Sequence, residues 1–238
     1  MGAARPEEVV IRFGGDTPLA PRFRLIVFDL DGTLVDSRRD LAESANALLE
    51  ACGCRPHSEE AIGRMVGDGA ATLVARAFAE AHCPQPRDAL ERFLTAYNSR
   101  LLRFTRPYPG IPEVLAQLQR LATLAVLTNK PLSATRAILD GLDLERFFGE
   151  RVIGGDGLFA RKPDPSGLVH LMVTENVAPD EALLVGDSLV DLRTGRAAGV
   201  PVCLARYGFG YETFPVEELS KEDRVSDHPA DLVETCVR

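Results

Sequence analysis

Asp29 and Asp31 follow an apolar run in the segment LIVFDLDGTLVDS, residues 25–37, and their spacing raises a chemical question. Side chains alternate along a strand, so two carboxylates two residues apart lie on the same face. At the end of a strand they repel each other and gain nothing from burial, so stability does not explain the pair. The pair therefore predicts that a positive group lies between the two carboxylates.

Polar side chains also follow other apolar runs of the chain. Thr128 and Asn129 follow the run LAVL, and Asp187 and Asp191 lie at and beyond the end of ALLVGD. Lys162 lies in ARKPDP, between a predicted strand and a predicted helix. In an open α/β sheet, ligands bind beyond the carboxyl ends of the strands. If these strands are neighbours, all of these side chains meet in one crevice.

The side chains of this crevice are suited to phosphoryl transfer. Clustered carboxylates without His or Cys favour a hard cation such as Mg²⁺. With the cation and Lys162 present, the crevice would accept a phosphoryl dianion, with Thr128 and backbone N–H groups on its oxygens. One carboxylate could then act as nucleophile, and a second could protonate the leaving oxygen. Taken singly, Asp187 could be only a helix cap and Lys162 only a surface residue.

The elements that must position these residues indicate an α/β fold. After residue 107 the chain alternates short apolar runs with amphipathic helices, which predicts a Rossmann-like, doubly wound parallel sheet. The block 37–106 has helical spacing and no strand signal, so it is predicted to be an inserted helical cap. The predicted core therefore comprises residues 22–36 and 107–238, and residues 1–21 form an N-terminal extension.

Composition excludes several classes of partner. The chain has 238 residues, a net charge of −8 and a pI of about 5.1, so it has no general attraction for nucleic acid or for anionic membranes. No apolar stretch reaches the ~18 residues of a membrane span. The five cysteines are odd in number and scattered, which argues against disulfides and zinc and favours the cytoplasm.

Four segments in this order, FDLDGTLVDS, LTNKP, RKPDP and GDSLVDLRTGRAAG, resemble the haloacid dehalogenase-like phosphohydrolases. The resemblance covers the chain from about residue 22 onward. It implies that Asp29 is the nucleophile and Asp31 the general acid/base, and that Thr128 and Lys162 contact the phosphoryl group. The magnesium ligands that it implies are the Asp29 carboxylate, the Asp31 main-chain oxygen and Asp187, with Asp191 in direct or indirect contact with the ion.

Other segments, among them MVGDGAATLVARAF, VIGGDGLFARKPDPSGL and ARYGFGY, are similar to those of phosphoglycolate phosphatases. This resemblance implies hydrolysis of 2-phosphoglycolate to glycolate and phosphate. The carboxylate of the leaving glycolate would need a cation, and the candidates are Arg64 and Arg76 in the cap and Lys130 in the core. Asn129 and Gly32 complete the predicted substrate-binding residues.

Three alternatives stay open. The substrate could be another small metabolite, such as a sugar phosphate or pyrophosphate. A phosphosugar mutase would need a base in the cap, for which His57 and His82 are weak candidates. A non-catalytic binding protein should have lost Asp29, Asp31 or Lys162, and all three are present. In each enzymatic case the partner is a small phosphorylated metabolite, and the protein is expected to be a monomer or a homodimer.

Overall fold

The computed structural model describes residues 22–237, so the predicted extension over residues 1–21 lies outside the described part of the chain. The strands of the described part are β1 (Leu25–Phe28), β2 (Val35–Asp36), β3 (Arg106–Pro107), β4 (Thr123–Leu127), β5 (Val152–Ile153), β6 (Ala182–Gly186), β7 (Val202–Ala205) and β8 (Arg224–Ser226). Its helices are α1 (Arg38–Ala51), α2 (Glu59–Gly63), α3 (Ala70–Glu80), α4 (Ala89–Asn98), α5 (Ile111–Leu118), α6 (Leu132–Gly141), α7 (Glu145–Phe148), α8 (Ser166–Glu175), α9 (Leu189–Ala198) and α10 (Asp231–Val237). None of these helices is long and apolar enough to cross a membrane.

Six of the described strands form one parallel sheet in the order β5-β4-β1-β6-β7-β8. Strand β1 lies between β4 and β6, and its last residue, Phe28, is aligned with Val126 on one side and Val185 on the other. The carboxyl ends of these three strands therefore lie side by side. This arrangement is the one that the polar residues after each apolar run require.

Helices cover both faces of the sheet. On β1, Ile26 and Phe28 pack on one face in a cluster to which α5, α6, α7 and α10 contribute. Leu25 and Val27 point to the other face and pack with residues of α8 and α9. Because both faces are covered, every residue of β1 is buried and the strand is apolar throughout. The predicted α/β, doubly wound sheet is confirmed.

Helices α1 to α4 form a block between β2 and β3 with a hydrophobic cluster of its own. Leu49, Ile62, Val74 and Phe93 are buried there, each with an exposed fraction of 1% or less. Strands β2 and β3 pair antiparallel, so the chain enters and leaves the block through two adjacent strands. The Ser58 side chain caps α2 by accepting a hydrogen bond from the backbone N–H of Ala61.

The cysteines of the helical block differ from the sequence-based expectation. Cys54 and Cys83 form a disulfide, so the prediction that the scattered cysteines are all free was wrong. Cys54 follows α1 and Cys83 follows α3, and their sequence separation of 29 gives no sign that these helix ends are adjacent. Cys52, Cys203 and Cys236 are free thiols.

Candidate active site

Asp29 lies at the end of β1 and is held there by backbone pairing. Its N–H donates to the carbonyl of Val185 on β6, at 2.9 Å. The Asp29 side chain is buried, and Lys162 Nζ lies 2.9 Å from its Oδ1. Burial raises the pKa of Asp29 to about 6; Lys162 opposes the rise, while Asp191 and Asp31 add to it.

Three buried carboxylates converge beyond β1 and β6. One oxygen atom from each of Asp29, Asp187 and Asp191 lies within 4.8 Å of the others. Burial raises the pKa of Asp187 well above its usual range, and the charges of Asp191 and Asp29 add to the effect. Three buried carboxylates repel one another, and all of their potential ligand atoms are oxygens. The cluster therefore fits a hard divalent cation.

Glycines allow the Asp187 side chain to lie close to two loops. Gly32 has φ +87°, and a Cβ there would lie 1.8 Å from Asp187 Oδ2. A Cβ at Gly208 or Gly210 would also come within 3 Å of the Asp187 side chain. The N–H of Gly210 donates to Asp187 Oδ2 at 2.7 Å. Gly32, predicted to bind substrate, therefore lies against the carboxylate cluster and does not line the cavity described below.

Lys162 bridges two of the three clustered carboxylates. Its Nζ lies 2.9 Å from Asp29 Oδ1 and 2.6 Å from Asp191 Oδ1. Burial alone would lower the pKa of Lys162, but the charges of Asp191 and Asp29 outweigh it and raise the pKa. The other oxygen of Asp191 accepts hydrogen bonds from the N–H and hydroxyl of Ser188. Asp191 therefore fixes the ammonium group beside the predicted nucleophile.

Thr128 and Asn129 follow β4 and face the helical block. Thr128 is 3% exposed and lines the cavity between block and sheet. Asn129 Nδ2 donates to the carbonyl of Lys162 and to that of Gly67, each at 2.9 Å. Gly67 lies between α2 and α3, so Asn129 links the sheet, the lysine loop and the helical block.

Asp31 has partners different from those of Asp29. Its Oδ1 accepts a hydrogen bond from the Ser37 hydroxyl at 2.6 Å, and its Oδ2 lies 2.8 Å from Lys130 Nζ. Lys130 Nζ in turn lies 4.5 Å from the centroid of the Tyr97 ring on α4. Ser37 and Tyr97 were not among the predicted site residues. Ser37 is the last residue of the FDLDGTLVDS segment, which is a signal in the sequence, whereas Tyr97 has the pattern of any residue on the buried face of a helix.

A cavity of about 50 Å³ separates the helical block from the ends of the strands. Asp29, Asp31, Thr128 and Lys130 line it from the sheet side, and apolar residues and Tyr97 line it from the block. The apolar lining from the block is provided by Leu41, Val66, Leu73, Phe93 and Leu94.

Arg64 and Arg76, the predicted cap cations, do not line this cavity in the described part of the chain. Arg76 is used within the block, where it pairs with Asp68 at 2.5 Å and donates to the carbonyl of Met65 at 3.0 Å. Arg64 is exposed at the end of α2. The structure therefore brings Asp29, Asp31, Thr128, Asn129, Lys162, Asp187 and Asp191 together but leaves both arginines outside.

Comparisons with known proteins agree with this geometry. Residues 26–205 match the family model for haloacid dehalogenase-like hydrolases. The chain is 43% identical over 205 residues to a phosphoglycolate phosphatase of Rhodospirillum rubrum, covering 82% of this chain and 84% of that protein. It is 38% identical over 221 residues to a phosphoglycolate phosphatase of Pseudomonas fluorescens, covering 90% and 80%.

A solved structure is similar over almost the whole length of both chains. The crystal structure of a predicted phosphoglycolate phosphatase from Haemophilus somnus has a TM-score of 0.82 and 33% identity, and covers 93% of this chain and 99% of that one. The chain therefore belongs to the haloacid dehalogenase-like hydrolases. Within that family it is an enzyme of the phosphoric monoester hydrolase class, similar to phosphoglycolate phosphatases.

Proposed function

We propose that this protein is a magnesium-dependent phosphomonoesterase that works through an aspartyl-phosphate on Asp29. The observation that supports it most is the position of Asp29. This carboxylate lines the cavity, 2.9 Å from a buried ammonium group and within a cluster of three buried carboxylates. A buried carboxylate between a cation site and a lysine is placed to attack a phosphorus atom and to have its own charge neutralised.

Two steps account for hydrolysis. In the first, a carboxylate oxygen of Asp29 attacks phosphorus, the bond from phosphorus to the ester oxygen breaks, and Asp31 gives a proton to the leaving oxygen. In the second, Asp31 takes a proton from water, the hydroxide attacks the phosphorus of the aspartyl-phosphate, and the bond from phosphorus to the Asp29 oxygen breaks, which frees the carboxylate and releases inorganic phosphate. Thr128 and Lys162 hold phosphoryl oxygens through both steps.

Asp29, Asp187 and the Asp31 main-chain oxygen would hold the magnesium ion, and Asp191 would act mainly by positioning Lys162. When bound, the ion neutralises negative charge on the carboxylates and on the phosphoryl oxygens. Three buried carboxylates beside only one lysine leave a negative excess that a divalent ion compensates.

The substrate that we propose is 2-phosphoglycolate. Two relatives, at 43% and 38% identity, are named for that activity. A sugar phosphate or pyrophosphate is the second candidate. A mutase is disfavoured because no histidine lines the cavity among the described residues, and His57 Nε2 lies 2.8 Å from the carbonyl of Ala77 within the block.

We further propose that residues 37–106 form a mobile cap that hinges at β2 and β3 and excludes water from the aspartyl-phosphate. The hydrogen bond from Asn129 to Gly67 would form on closure. The substrate is a small metabolite, and the proposed compartment is the cytoplasm, with the protein a monomer or homodimer.

Phosphate release from a substrate panel tests the proposal. The panel contains 2-phosphoglycolate, sugar phosphates, nucleotides and pyrophosphate, each with magnesium and then with EDTA. We expect kcat/KM for 2-phosphoglycolate to exceed the others by at least about 100-fold, and EDTA to abolish release. An EDTA-sensitive but flat profile would overturn the substrate, and release that is insensitive to EDTA would overturn the metal. In the same assay Asp29→Asn should lose activity at least about 1000-fold, and Asp164→Asn, an exposed carboxylate, should not.

A further inference from the structure

Two kinds of polar group line the cavity. Asp29, whose carboxylate pairs with Lys162, and Thr128 are the groups proposed to bind the phosphoryl group. Lys130 lines the same cavity, and its Nζ lies over the ring of Tyr97, which α4 of the helical block contributes. Lys130 and Tyr97 are therefore available to the leaving group of the substrate.

Lys130 is a buried cation in the wall of the cavity. Its side chain is 4% exposed, and the carboxylate paired with it among the described residues is that of Asp31. An ammonium group has three N–H donors; the Asp31 oxygens, at 2.8 and 3.1 Å, account for two, and the remaining one lies beside Tyr97.

Tyr97 contributes a buried polar group beside Lys130. Tyr97 is 3% exposed, its hydroxyl makes no hydrogen bond of regular geometry among the described residues, and it interacts with Lys130. A hydroxyl that accepts from an ammonium group still has its own O–H to donate to a ligand. Tyr97 lines the cavity together with Lys130.

The position of Lys130 also differs from that of Lys162. Lys162 pairs with Asp29 and Asp191, which are members of the carboxylate cluster. Lys130 pairs with Asp31, which is not a member of that cluster, and its Nζ lies over the ring of Tyr97; Leu94 and Phe93 line the same cavity. The cavity therefore has a second cation besides the lysine that pairs with the proposed nucleophile.

We propose that Lys130 and Tyr97 form the receptor for a carboxylate on the leaving group, and so restrict this enzyme to short phosphorylated carboxylic acids. This inference rests on the proposed phosphatase function and specifies its substrate. Lys130 binds the carboxylate as an ion pair, and the Tyr97 hydroxyl donates a hydrogen bond to it. The apolar walls weaken water's competition for the same carboxylate and so strengthen both contacts.

The test compares 2-phosphoglycolate with its isostere phosphoglycolamide, in which a neutral amide replaces the carboxylate and the phosphate is unchanged. The readout is the ratio of kcat/KM for the acid to that for the amide, because a change at Lys130 also reaches Asp31 and alters both rates. We expect the wild type to prefer the acid by at least about 100-fold. Lys130→Met should lower this ratio at least about 30-fold and Tyr97→Phe about 5- to 10-fold. The control is Arg76→Met, which removes a cap cation that lies outside the cavity and should leave the ratio unchanged.

Binding provides a second readout that needs no turnover. In the presence of Mg²⁺, calorimetric titration of the Asp29→Asn protein with the acid and the amide should show the same preference, and adding Lys130→Met should remove it. A wild-type protein that does not distinguish acid from amide, or a Lys130→Met protein that keeps the preference, overturns the inference. Pyrophosphate turned over faster than 2-phosphoglycolate in a Lys130-dependent manner would also overturn it. If the wild type releases no phosphate from any ester, the proposed function fails, and the titration still decides whether Lys130 and Tyr97 bind a carboxylate.

Discussion

Asp29 combines two demands that oppose each other in a folded protein. As a nucleophile it must be ionised, yet burial and the neighbouring Asp191 favour its protonated form, and its pKa is raised to about 6. Lys162 compensates for only part of this cost. Because its pKa is raised, Asp29 binds a proton more tightly in the folded chain than in the unfolded chain. The free energy of unfolding therefore falls as pH rises through about 6.

Asp29→Asn should therefore stabilise the metal-free protein at pH 7.5, by on the order of 2 kcal/mol in the free energy of unfolding. The gain should shrink toward zero below about pH 4, where both folded and unfolded chains carry the proton. Urea denaturation in EDTA across this pH range measures it. Asp164→Asn is the control with the opposite sign, because hydrogen bonds from Ser166 lower the pKa of Asp164. A difference in the free energy of unfolding between Asp29→Asn and wild type that does not change with pH would contradict the account. Adding Mg²⁺ should reduce the stability gain of Asp29→Asn over the wild type.

Gly210→Ala should weaken magnesium binding. A Cβ at residue 210 would lie 2.7 Å from Asp187 Oδ2, so Asp187 must move, and outer contacts of this kind typically change metal affinity 10- to 100-fold. We expect the Kd for Mg²⁺ in calorimetric titration to rise about 10-fold or more. Gly157→Ala is the matched control, because its Cβ would meet nothing closer than 3.5 Å. An unchanged Kd in Gly210→Ala would show that Asp187 is not a ligand.

The motif residues of the site were predictable, and their supporting contacts were not. Asp29, Asp31, Lys162 and Asp187 each lie at the end of an apolar run or in a loop between elements, so the fold class alone brings them together. The closeness of Gly210 to Asp187 arises where separate loops meet, and no local pattern reports it. The resemblance to phosphoglycolate phosphatases suggested Arg76 as a cap cation, but the sequence does not show which way a helix faces, and Arg76 pairs with Asp68.

At the scale of elements, the strands that carry the site were apparent because they are buried on both faces. Runs such as LIVF and ALLVG form β1 and β6, whose residues are all buried. Strand β8 was not predicted, because it is three residues long and begins with the partly exposed Arg224. An edge strand of that kind is determined by its neighbour β7 and has no hydrophobic pattern of its own.

The start of α1 is joined to the chain that returns from the helical block by one buried carboxylate. Asp40 Oδ2 accepts hydrogen bonds from the N–H of Phe104 and from both the N–H and the hydroxyl of Thr105, each at 2.8 Å. These contacts hold the two ends of the block together beside β2 and β3. They make Asp40 a structural residue at the proposed hinge.

Asp40→Ala should lower the free energy of unfolding by about 3 kcal/mol, because it leaves buried donors without a partner. Asp40→Asn, which keeps the shape and one acceptor, should lose less. Asp88→Ala removes an exposed carboxylate from the start of α4 and serves as the control. Chemical denaturation measures all three, and an Asp40→Ala protein as stable as wild type would contradict the assigned contacts.

At the scale of the whole molecule, the disulfide places a covalent link in the helical block of a protein proposed for a reducing compartment. The bond between Cys54 and Cys83 spans a sequence separation of 29 residues, and neither residue lines the cavity. In a reducing cytoplasm the two thiols would be free. The fold must then depend on the hydrophobic cluster of the block rather than on the bond.

Reduction with dithiothreitol should lower the free energy of unfolding of the wild type by about 3 kcal/mol, because the cross-link restricts the unfolded chain. Phosphate release at 25 °C should be unaffected. The Cys54→Ser variant should not respond to the reductant, which separates the bond from other effects of the reagent. If reduction abolished phosphate release, the account would need an oxidising compartment.

The central claim, that Asp29 becomes phosphorylated during turnover, can be tested by rapid quench. Wild-type enzyme with magnesium and ³²P-labelled 2-phosphoglycolate is stopped with acid within milliseconds, digested, and its labelled peptide identified. The account predicts label on the peptide that contains Asp29, decaying as phosphate appears, and neither label nor phosphate release from Asp29→Asn. Phosphate release by Asp29→Asn at the wild-type rate, with no label on that peptide in the wild type, would contradict it.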